Sequence, residues 1–299
     1  MISYSEKEKY YVICHIGAND PFCAVVNRGV EDASLYFGVR AEFSGPVRYD
    51  VKKQVEIFNN AIDENAAGIA VSITKPDMWV GPLKRALDCG IPVVAFNARE
   101  NKDFTGNIPY LSFVGIDEEK AAQMITRYMV PKLSGVKRAV VATQETGHSA
   151  FEKRADTIMS ELKKMRGIPS DYIDATHLPA QGLNIFTKYF KKNPDTGVVF
   201  SLSPIVTVSI LKYIKEFPNG NRPRVAAYDL NMETFKGIKD KIIDVTVDQQ
   251  PYLQGFIPVM QLFLNRKYAL RPDNYNTAMG LVDRHKIDEI GKLIEKGFR

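Results

Sequence analysis

The chain has 299 residues, of which 45% are hydrophobic and 25% are charged, and 40 Lys and Arg against 35 Asp and Glu give a net charge of +5. This composition is typical of a globular protein, so it argues against a disordered chain, a coiled coil and a fibre. No uncharged run in the sequence is long and apolar enough to be embedded in a membrane. The length predicts two domains or one large α/β unit.

Strand-like and helix-like segments alternate in chain order. The first strand, over 10–16, ends at a turn signal, and a helix follows over 22–38. The later predicted strands cover 68–73, 91–96, 111–114, 138–142, 172–174, 197–200, 224–228 and 244–247. Helical spacing is found between them, for example over 51–62, 77–89 and 252–264, and a helix over 287–296 closes the chain. Apolar strands separated by helices indicate parallel sheets that are covered on both faces, and because the cycle runs twice we predict two such sheets.

Sequence motifs of several enzyme classes are absent. No GxGxxG follows the first strand, and neither a P-loop, a GxSxG elbow nor an HExxH motif occurs. The four histidines are far apart in sequence and the three cysteines form no CxxC pair, so we expect no metal and no cofactor. Paired lysines at 52–53, 163–164 and 191–192 fall on separate predicted helices, which favours solvated surface over nucleic-acid binding.

Polar side chains follow the ends of the predicted strands. They are Asn19 and Asp20, Asn97 and Arg99, His148 and Ser149, Ser203, Asp229, and Gln249. Ligands of parallel α/β sheets bind beyond the carboxyl ends of the strands. Amides, carboxylates and imidazoles there can form paired hydrogen bonds to neighbouring hydroxyls of a small polyol, and Phe22 adds a flat apolar face. Each residue taken alone is more typical of a helix N-cap or a turn, but together they favour a ligand site.

The order of these segments resembles the type I periplasmic solute-binding proteins, the monosaccharide-binding group of ABC importers, from Tyr10 to Asp288. The motifs are Asn-Asp-Pro-Phe at 19–22, Gly-Ile-Pro-Val-Val at 90–94, Phe-Asn at 96–97, Gly-His-Ser-Ala at 147–150, Tyr-Asp at 228–229, and Asp-Gln-Gln-Pro at 248–251. The resemblance implies an α/β protein of two doubly wound parallel-sheet lobes joined by a three-crossing hinge near residues 116, 248 and 277. The N-terminal lobe takes 1–116 plus 249–277, and the C-terminal lobe takes 117–248 plus 278–299.

The same resemblance implies a set of ligand-binding residues. They are Asp20, Phe22, Asn97, Arg99, His148, Arg154, His177, Ser203, Asp229 and, at a crossing between the lobes, Gln249. Asp20 and Asn97 are expected to bind sugar hydroxyls, and Phe22 to lie against the ring. His177 falls near the family's second stacking aromatic, and Ser203 stands where the family has Asn. Because of such departures we expect a different sugar from that of the ribose-binding proteins, or a sugar alcohol.

The resemblance implies extracytoplasmic binding of a monosaccharide or related polyol in an interlobe cleft, hinge closure, and delivery to an ABC permease. It further implies a monomer without catalysis, metal or nucleic acid. The location is expected to be periplasmic or lipid-anchored, although the polar first ten residues include no signal peptide.

Three alternatives stay open. The regulatory core of a LacI-type repressor would need a helix-turn-helix ahead of the first strand, where nine residues precede Tyr10. A sugar-sensing ectodomain would carry the same binding residues. An enzyme could use Asp20, Asp229 and His148 as acid and base, but the sequence places no activated nucleophile beside them.

Overall fold

The structure is a computed structural model that describes residues 8–101, 104–220, 222–277 and 280–299. The polar start of the sequence, residues 1–7, and residue 278, where the last segment of the second lobe is predicted to begin, lie outside the described residues. Among the helices of the described ranges, none combines the length and the apolar character that crossing a membrane would require.

Strands and helices alternate along the described chain. The strands are β1 (Lys9–Ile13), β2 (Arg40–Ser44), β3 (Gly68–Val71), β4 (Val93–Phe96), β5 (Phe113–Gly115), β6 (Arg138–Thr143), β7 (Ser170–Asp174), β8 (Thr196–Ser201), β9 (Arg224–Tyr228), β10 (Val245–Asp248), β11 (Tyr275–Asn276) and β12 (Gly280–Asp283). The helices are α1 (Pro21–Phe37), α2 (Val51–Asp63), α3 (Val80–Asp88), α4 (Glu118–Met129), α5 (Ser149–Arg166), α6 (Pro179–Lys192), α7 (Pro204–Glu216), α8 (Met232–Lys239), α9 (Pro251–Tyr268) and α10 (Ile287–Glu295).

The chain divides into two compact units. Unit 1 is Met1–Ile116 with Gln250–Ala278 and Phe298, and unit 2 is Asp117–Gln249 with Met279–Gly297 and Arg299. The sheet of unit 1 has the order β11-β5-β4-β3-β1-β2, and that of unit 2 has the order β12-β10-β9-β8-β6-β7. The sequence-based prediction of two α/β units with parallel sheets is confirmed. Gln249 belongs to unit 2 here, whereas the sequence analysis assigns it to the first lobe.

Each sheet is buried on both faces, which explains the continuous apolar runs in its strands. In β1 of unit 1, Tyr10 and Val12 face one hydrophobic cluster, while Tyr11 and Ile13 face another. The first cluster includes α1 and α9, whose backbones touch: a Cβ added at Gly255 would collide with the carbonyl oxygen of Val26. The corresponding cluster of unit 2 is built on β6, β8 and β9 with α6, α7, α8 and α10.

Edge strands are where the structure departs from the sequence prediction. Strand β2 is not predicted, because its Arg-Ala-Glu-Phe-Ser sequence is half exposed at the sheet edge and lacks an apolar run. Strand β12 pairs antiparallel with β10, whereas the prediction has parallel strands alone. The predicted helix over 77–89 is divided into a 3-10 turn at Pro76–Met78 and the shorter helix α3.

Candidate functional site

The two units place corresponding residues at corresponding strand ends, because their sheets share one strand order. Asp20 caps α1 after β1, and His148 caps α5 after β6. Asn97 follows β4 and Asp229 follows β9, and both have left-handed backbones, with φ of 61° and 69°. A non-glycine residue at positive φ is uncommon and costs of order 1–3 kcal/mol, and such strain clusters at ligand sites. These strand ends are therefore the candidate functional regions of the two units.

Asp20 of unit 1 is both a helix cap and a buried carboxylate. Its Oδ1 accepts hydrogen bonds from the backbone N–H of Phe22 at 2.9 Å and of Cys23 at 3.3 Å. The side chain is buried, and this burial raises the pKa of the carboxyl above its usual value although the two N–H donors lower it. Within the described part of the chain Oδ2 has no donor, so this atom is available to a ligand hydroxyl.

The other predicted residues of unit 1 have different surroundings. Asn97 is buried, and its Nδ2 donates to Oε1 of Gln254 on α9 at 3.1 Å. Phe22 is buried in the cluster of α1, and Arg99 is exposed with its guanidinium 4.4 Å above the ring of Phe113. Unit 1 therefore holds Asp20 and Asn97 at strand ends, while Phe22 packs in the core and Arg99 packs on an aromatic ring.

A polar cluster in unit 1 was not predicted as part of the site. His15 follows β1, is buried, and its Nδ1 lies 3.1 Å from Oγ of Ser72 at the end of β3. The fully buried Gln54 donates through Nε2 to the carbonyl oxygen of Ser72 at 2.9 Å and to its Oγ at 3.2 Å. His15 lies two residues beyond β1 but inside the strand predicted over 10–16, so the sequence pattern did not place it at a strand end.

A buried network in unit 2 joins Glu118, Arg154, Gln249 and Asp229. The Glu118 carboxylate accepts from Nε and Nη2 of Arg154 at 2.5 and 2.9 Å, and Nη2 also donates to Oε1 of Gln249 at 2.9 Å. Gln249 donates through Nε2 to Oδ1 of Asp229 at 2.7 Å. The structure thus connects three predicted residues directly and adds Glu118, which the sequence did not indicate.

The surroundings of Arg154 keep its guanidinium charged. Burial disfavours the charged guanidinium of Arg154, but the Glu118 carboxylate more than offsets this and raises the pKa of Arg154. The guanidinium carbon also lies 4.4 Å from the ring centroid of Tyr228, in cation–π geometry. Burial raises the pKa of Tyr228 as well, so the phenol stays neutral beside the ion pair.

The remaining predicted residues of unit 2 lie around a buried carboxylate, Glu145. Nε2 of His148 is 3.9 Å and Nδ1 of His177 is 3.7 Å from the two oxygens of this carboxylate. Gln144 donates to Glu145 at 3.2 Å and accepts from Oγ of Ser203 at 2.5 Å. These contacts bring His148, His177 and Ser203 together through two residues that the sequence analysis did not name.

The imidazole of His148 has a defined orientation. Its Nδ1 accepts from the backbone N–H of Ala150 at 3.2 Å, which places the ring proton of the neutral form on Nε2. The ring stacks on Phe151 at 4.3 Å between centroids, and the guanidinium of Arg154 lies 5.3 Å from the centroid of the same Phe151 ring. The residues around Glu145 and the network of Arg154 therefore both contact Phe151, through His148 and Arg154 respectively.

Comparison with known proteins identifies the family. The profile of the periplasmic binding protein domain matches residues 10–265. The xylose/arabinose-binding protein of Sulfolobus acidocaldarius is 29% identical over 86% of this chain, and the ribose import binding protein of Bacillus subtilis is 25% identical over 79% of this chain and 75% of its own length. The chain spans 65% of the length of the Sulfolobus relative, just under two thirds.

Among solved structures, the periplasmic sugar-binding protein of an ABC sugar transporter from Legionella pneumophila is similar in both sequence and fold. It is 31% identical, with a TM-score of 0.86, and the alignment covers 91% of this chain and 100% of that one.

Proposed function

The chain belongs to the periplasmic binding protein domain family, and from this premise we propose that it binds a monosaccharide or related polyol and delivers it to the membrane permease of an ABC importer. The proposal includes a monomer located outside the cytoplasm, without catalysis on the sugar. The matched domain and the sugar-binding relatives support it.

The observation that carries the proposal is the hydrogen bonding of Arg154. Its guanidinium has five N–H donors, of which Glu118 takes two, Gln249 takes one and the carbonyl oxygen of Leu202 takes one at 3.1 Å. Within the described residues the second hydrogen of Nη1 has no acceptor, although the side chain is only 2% exposed. A buried unsatisfied donor costs about 1–3 kcal/mol, and a sugar hydroxyl that accepts this hydrogen would remove the cost.

Asp20 in unit 1 is a second buried group that can bind a sugar hydroxyl. Its Oδ2 is an acceptor on a buried carboxylate, and a sugar hydroxyl would donate to it. Each such group has a fixed direction because a helix cap or an ion pair holds it. An epimer that moves one hydroxyl therefore leaves a buried polar group unmatched, which is the basis for discrimination between sugars.

Titration calorimetry tests this function. The panel begins with xylose, arabinose and ribose, for which the two curated relatives are named, and continues with hexoses and sugar alcohols. We expect at least one polyol to bind with micromolar or tighter Kd, and Arg154→Lys to weaken it at least about tenfold, or roughly 1.4 kcal/mol. Arg222→Lys is the matched control, because Arg222 is an exposed arginine of the same unit and should leave the Kd unchanged.

Two results would refute the proposal: no polyol binds more tightly than millimolar, or Arg154→Lys binds as the wild type does. Chromatography of the sugar recovered from the titrated protein tests the absence of catalysis, since we expect the sugar to be recovered unchanged.

Closure of two lobes around the sugar is the further part of the proposal that follows from the family resemblance. A ligand that contacts both lobes in one conformation alone shifts the population toward that conformation. Small-angle X-ray scattering at saturating sugar should then give a smaller radius of gyration than the sugar-free protein. An unchanged radius would contradict closure without affecting binding.

A further inference from the structure

Two buried cysteines of unit 1 lie in contact with each other. Cys14 directly follows β1, Cys23 lies in the first turn of α1, and both side chains are fully buried. Their Sγ atoms are 3.4 Å apart, the distance of sulfurs in van der Waals contact. The segment between them contains Asp20 and Phe22, so this pair spans the part of unit 1 that we propose to bind sugar.

The surroundings of the pair favour thiolate chemistry. Nδ1 of His15 lies 3.5 Å from Sγ of Cys14, and Cys23 stands at the N-terminus of α1, where the helix dipole stabilises negative charge. Burial raises the pKa of Cys14, but the contacts with Cys23 and His15 more than offset this, so the pKa lies well below its usual value. A thiolate is the attacking species in disulfide exchange.

We propose that Cys14 and Cys23 form a reversible intrachain disulfide and that closing it weakens ligand binding by unit 1. The oxidant is a small-molecule disulfide such as oxidised glutathione. Because both sulfurs are buried, the exchange takes place when the first turn of α1 opens locally and exposes them. The Cys14 thiolate then attacks one sulfur of the oxidant, so that an S–S bond from Cys14 to this sulfur forms, the S–S bond of the oxidant breaks, and one thiol leaves. The Cys23 thiolate then attacks Cys14 in this mixed disulfide and releases the second thiol. Two electrons pass from the cysteines to the oxidant, and the two released thiols carry the protons.

The link to binding is mechanical. Sulfurs in a disulfide are about 2.05 Å apart, so each Sγ must move by about 0.7 Å from its present position. Cys23 is in the first turn of α1 and its N–H donates to Asp20 at 3.3 Å, so drawing Cys23 toward Cys14 displaces the Asp20 cap. The effect on sugar affinity rests on the proposed function, whereas the formation of the disulfide does not.

Peptide mapping tests the disulfide without any sugar. Trypsin cleaves after Lys9 and Arg28, so both cysteines are in the single peptide 10–28, while Cys89 is in another. After incubation of the folded chain with oxidised glutathione, we expect peptide 10–28 to be two hydrogens lighter and to resist alkylation until it is reduced. All of these experiments use Cys89→Ser as the parent protein, because the exposed Cys89 could otherwise form disulfides between two chains.

The competing outcomes are distinguishable. Cys14→Ser and Cys23→Ser should each abolish the lighter peptide. In glutathione buffers, the disulfide of the folded parent should persist up to a ratio of reduced to oxidised glutathione at least tenfold higher than the ratio at which the urea-unfolded chain loses it. A folded chain that remains fully alkylated, or that is no easier to bridge than the unfolded chain, overturns the proposal.

The second readout is affinity for whichever polyol the wild type binds. The bridged parent should bind at least threefold more weakly than the reduced parent, and the difference should vanish in Cys23→Ser. Equal affinities of the bridged and reduced parent would overturn the coupling to binding. A chain that binds no polyol but still forms the bridge would count against the proposed function and not against the disulfide.

Discussion

Removing the charge of Glu118 should destabilise unit 2 strongly. The Arg154 and Glu118 side chains are 2% and 12% exposed and share two hydrogen bonds, so Glu118→Gln leaves a buried guanidinium without its counter-charge. Breaking a buried pair by removing one partner costs about 3–5 kcal/mol. Because Arg154 keeps its bonds to Leu202 and Gln249, we expect the low end of that range.

The adjacent residue provides the control. Glu119 pairs with Lys153 at 3.1 Å, but both side chains are 37% exposed, and an exposed pair contributes about 0–1 kcal/mol. For a unit of this size a loss of about 3 kcal/mol lowers Tm by roughly 6–12 °C. Differential scanning calorimetry should show that shift for Glu118→Gln and almost none for Glu119→Gln. Equal shifts for the two variants would refute the view that Glu118 holds a buried charge in place.

Three further predictions concern stability and binding. Asp20→Asn keeps a good helix cap but removes a carboxyl whose pKa is raised by burial. The wild type loses stability as the pH rises above 3.8, the ordinary pKa of this carboxyl, and through its raised pKa in the folded state, so urea unfolding should show the free energy of unfolding of the variant rising relative to that of the wild type; equal pH profiles would contradict the buried charge. Asp229→Asn should weaken sugar binding at least about tenfold by calorimetry, and asparagine tolerates the positive φ at this position. The control Asp240→Asn, at an exposed residue, should leave the Kd unchanged, and similar effects of both variants would count against Asp229 as a ligand. Gly255→Ala should cost about 1–3 kcal/mol of unfolding free energy or more, because its Cβ meets the backbone of α1; a full-stability variant would show that the two helices can separate freely.

The sequence predicts the fold well where burial is strong. Strands such as β1 and β4 are buried on both faces, so they are continuous apolar runs that local pattern alone identifies. The half-exposed edge strand β2 has no such pattern, since Arg40 and Glu42 alternate with smaller or apolar residues and the strand depends on pairing with β1. Its existence follows from tertiary pairing, which no local window contains.

The sequence likewise predicts binding residues where a local pattern marks them. Asp229 and Gln249 were predicted because they come directly after strands, and the structure connects them by a hydrogen bond. Glu118 was not predicted, because an acidic residue in the first turn of a helix reads as a partner of the helix dipole. Its contact with Arg154 is 36 residues away in sequence, and only the folded unit shows that the two charges meet.

The structure also changes how Asp229 should be tested. Asp229→Asn is a better test of this residue than Asp229→Ala. In the fold, alanine at this position would have a positive φ and would remove the acceptor of the Gln249 amide, so a loss of stability would not distinguish a structural role from a binding role.

A crystal structure of the chain with its tightest-binding polyol would show directly which atoms bind the sugar. We expect ring hydroxyls within hydrogen-bond distance of Nη1 of Arg154 and of Oδ2 of Asp20. A polyol bound elsewhere, with both atoms left without a ligand partner, would contradict this expectation.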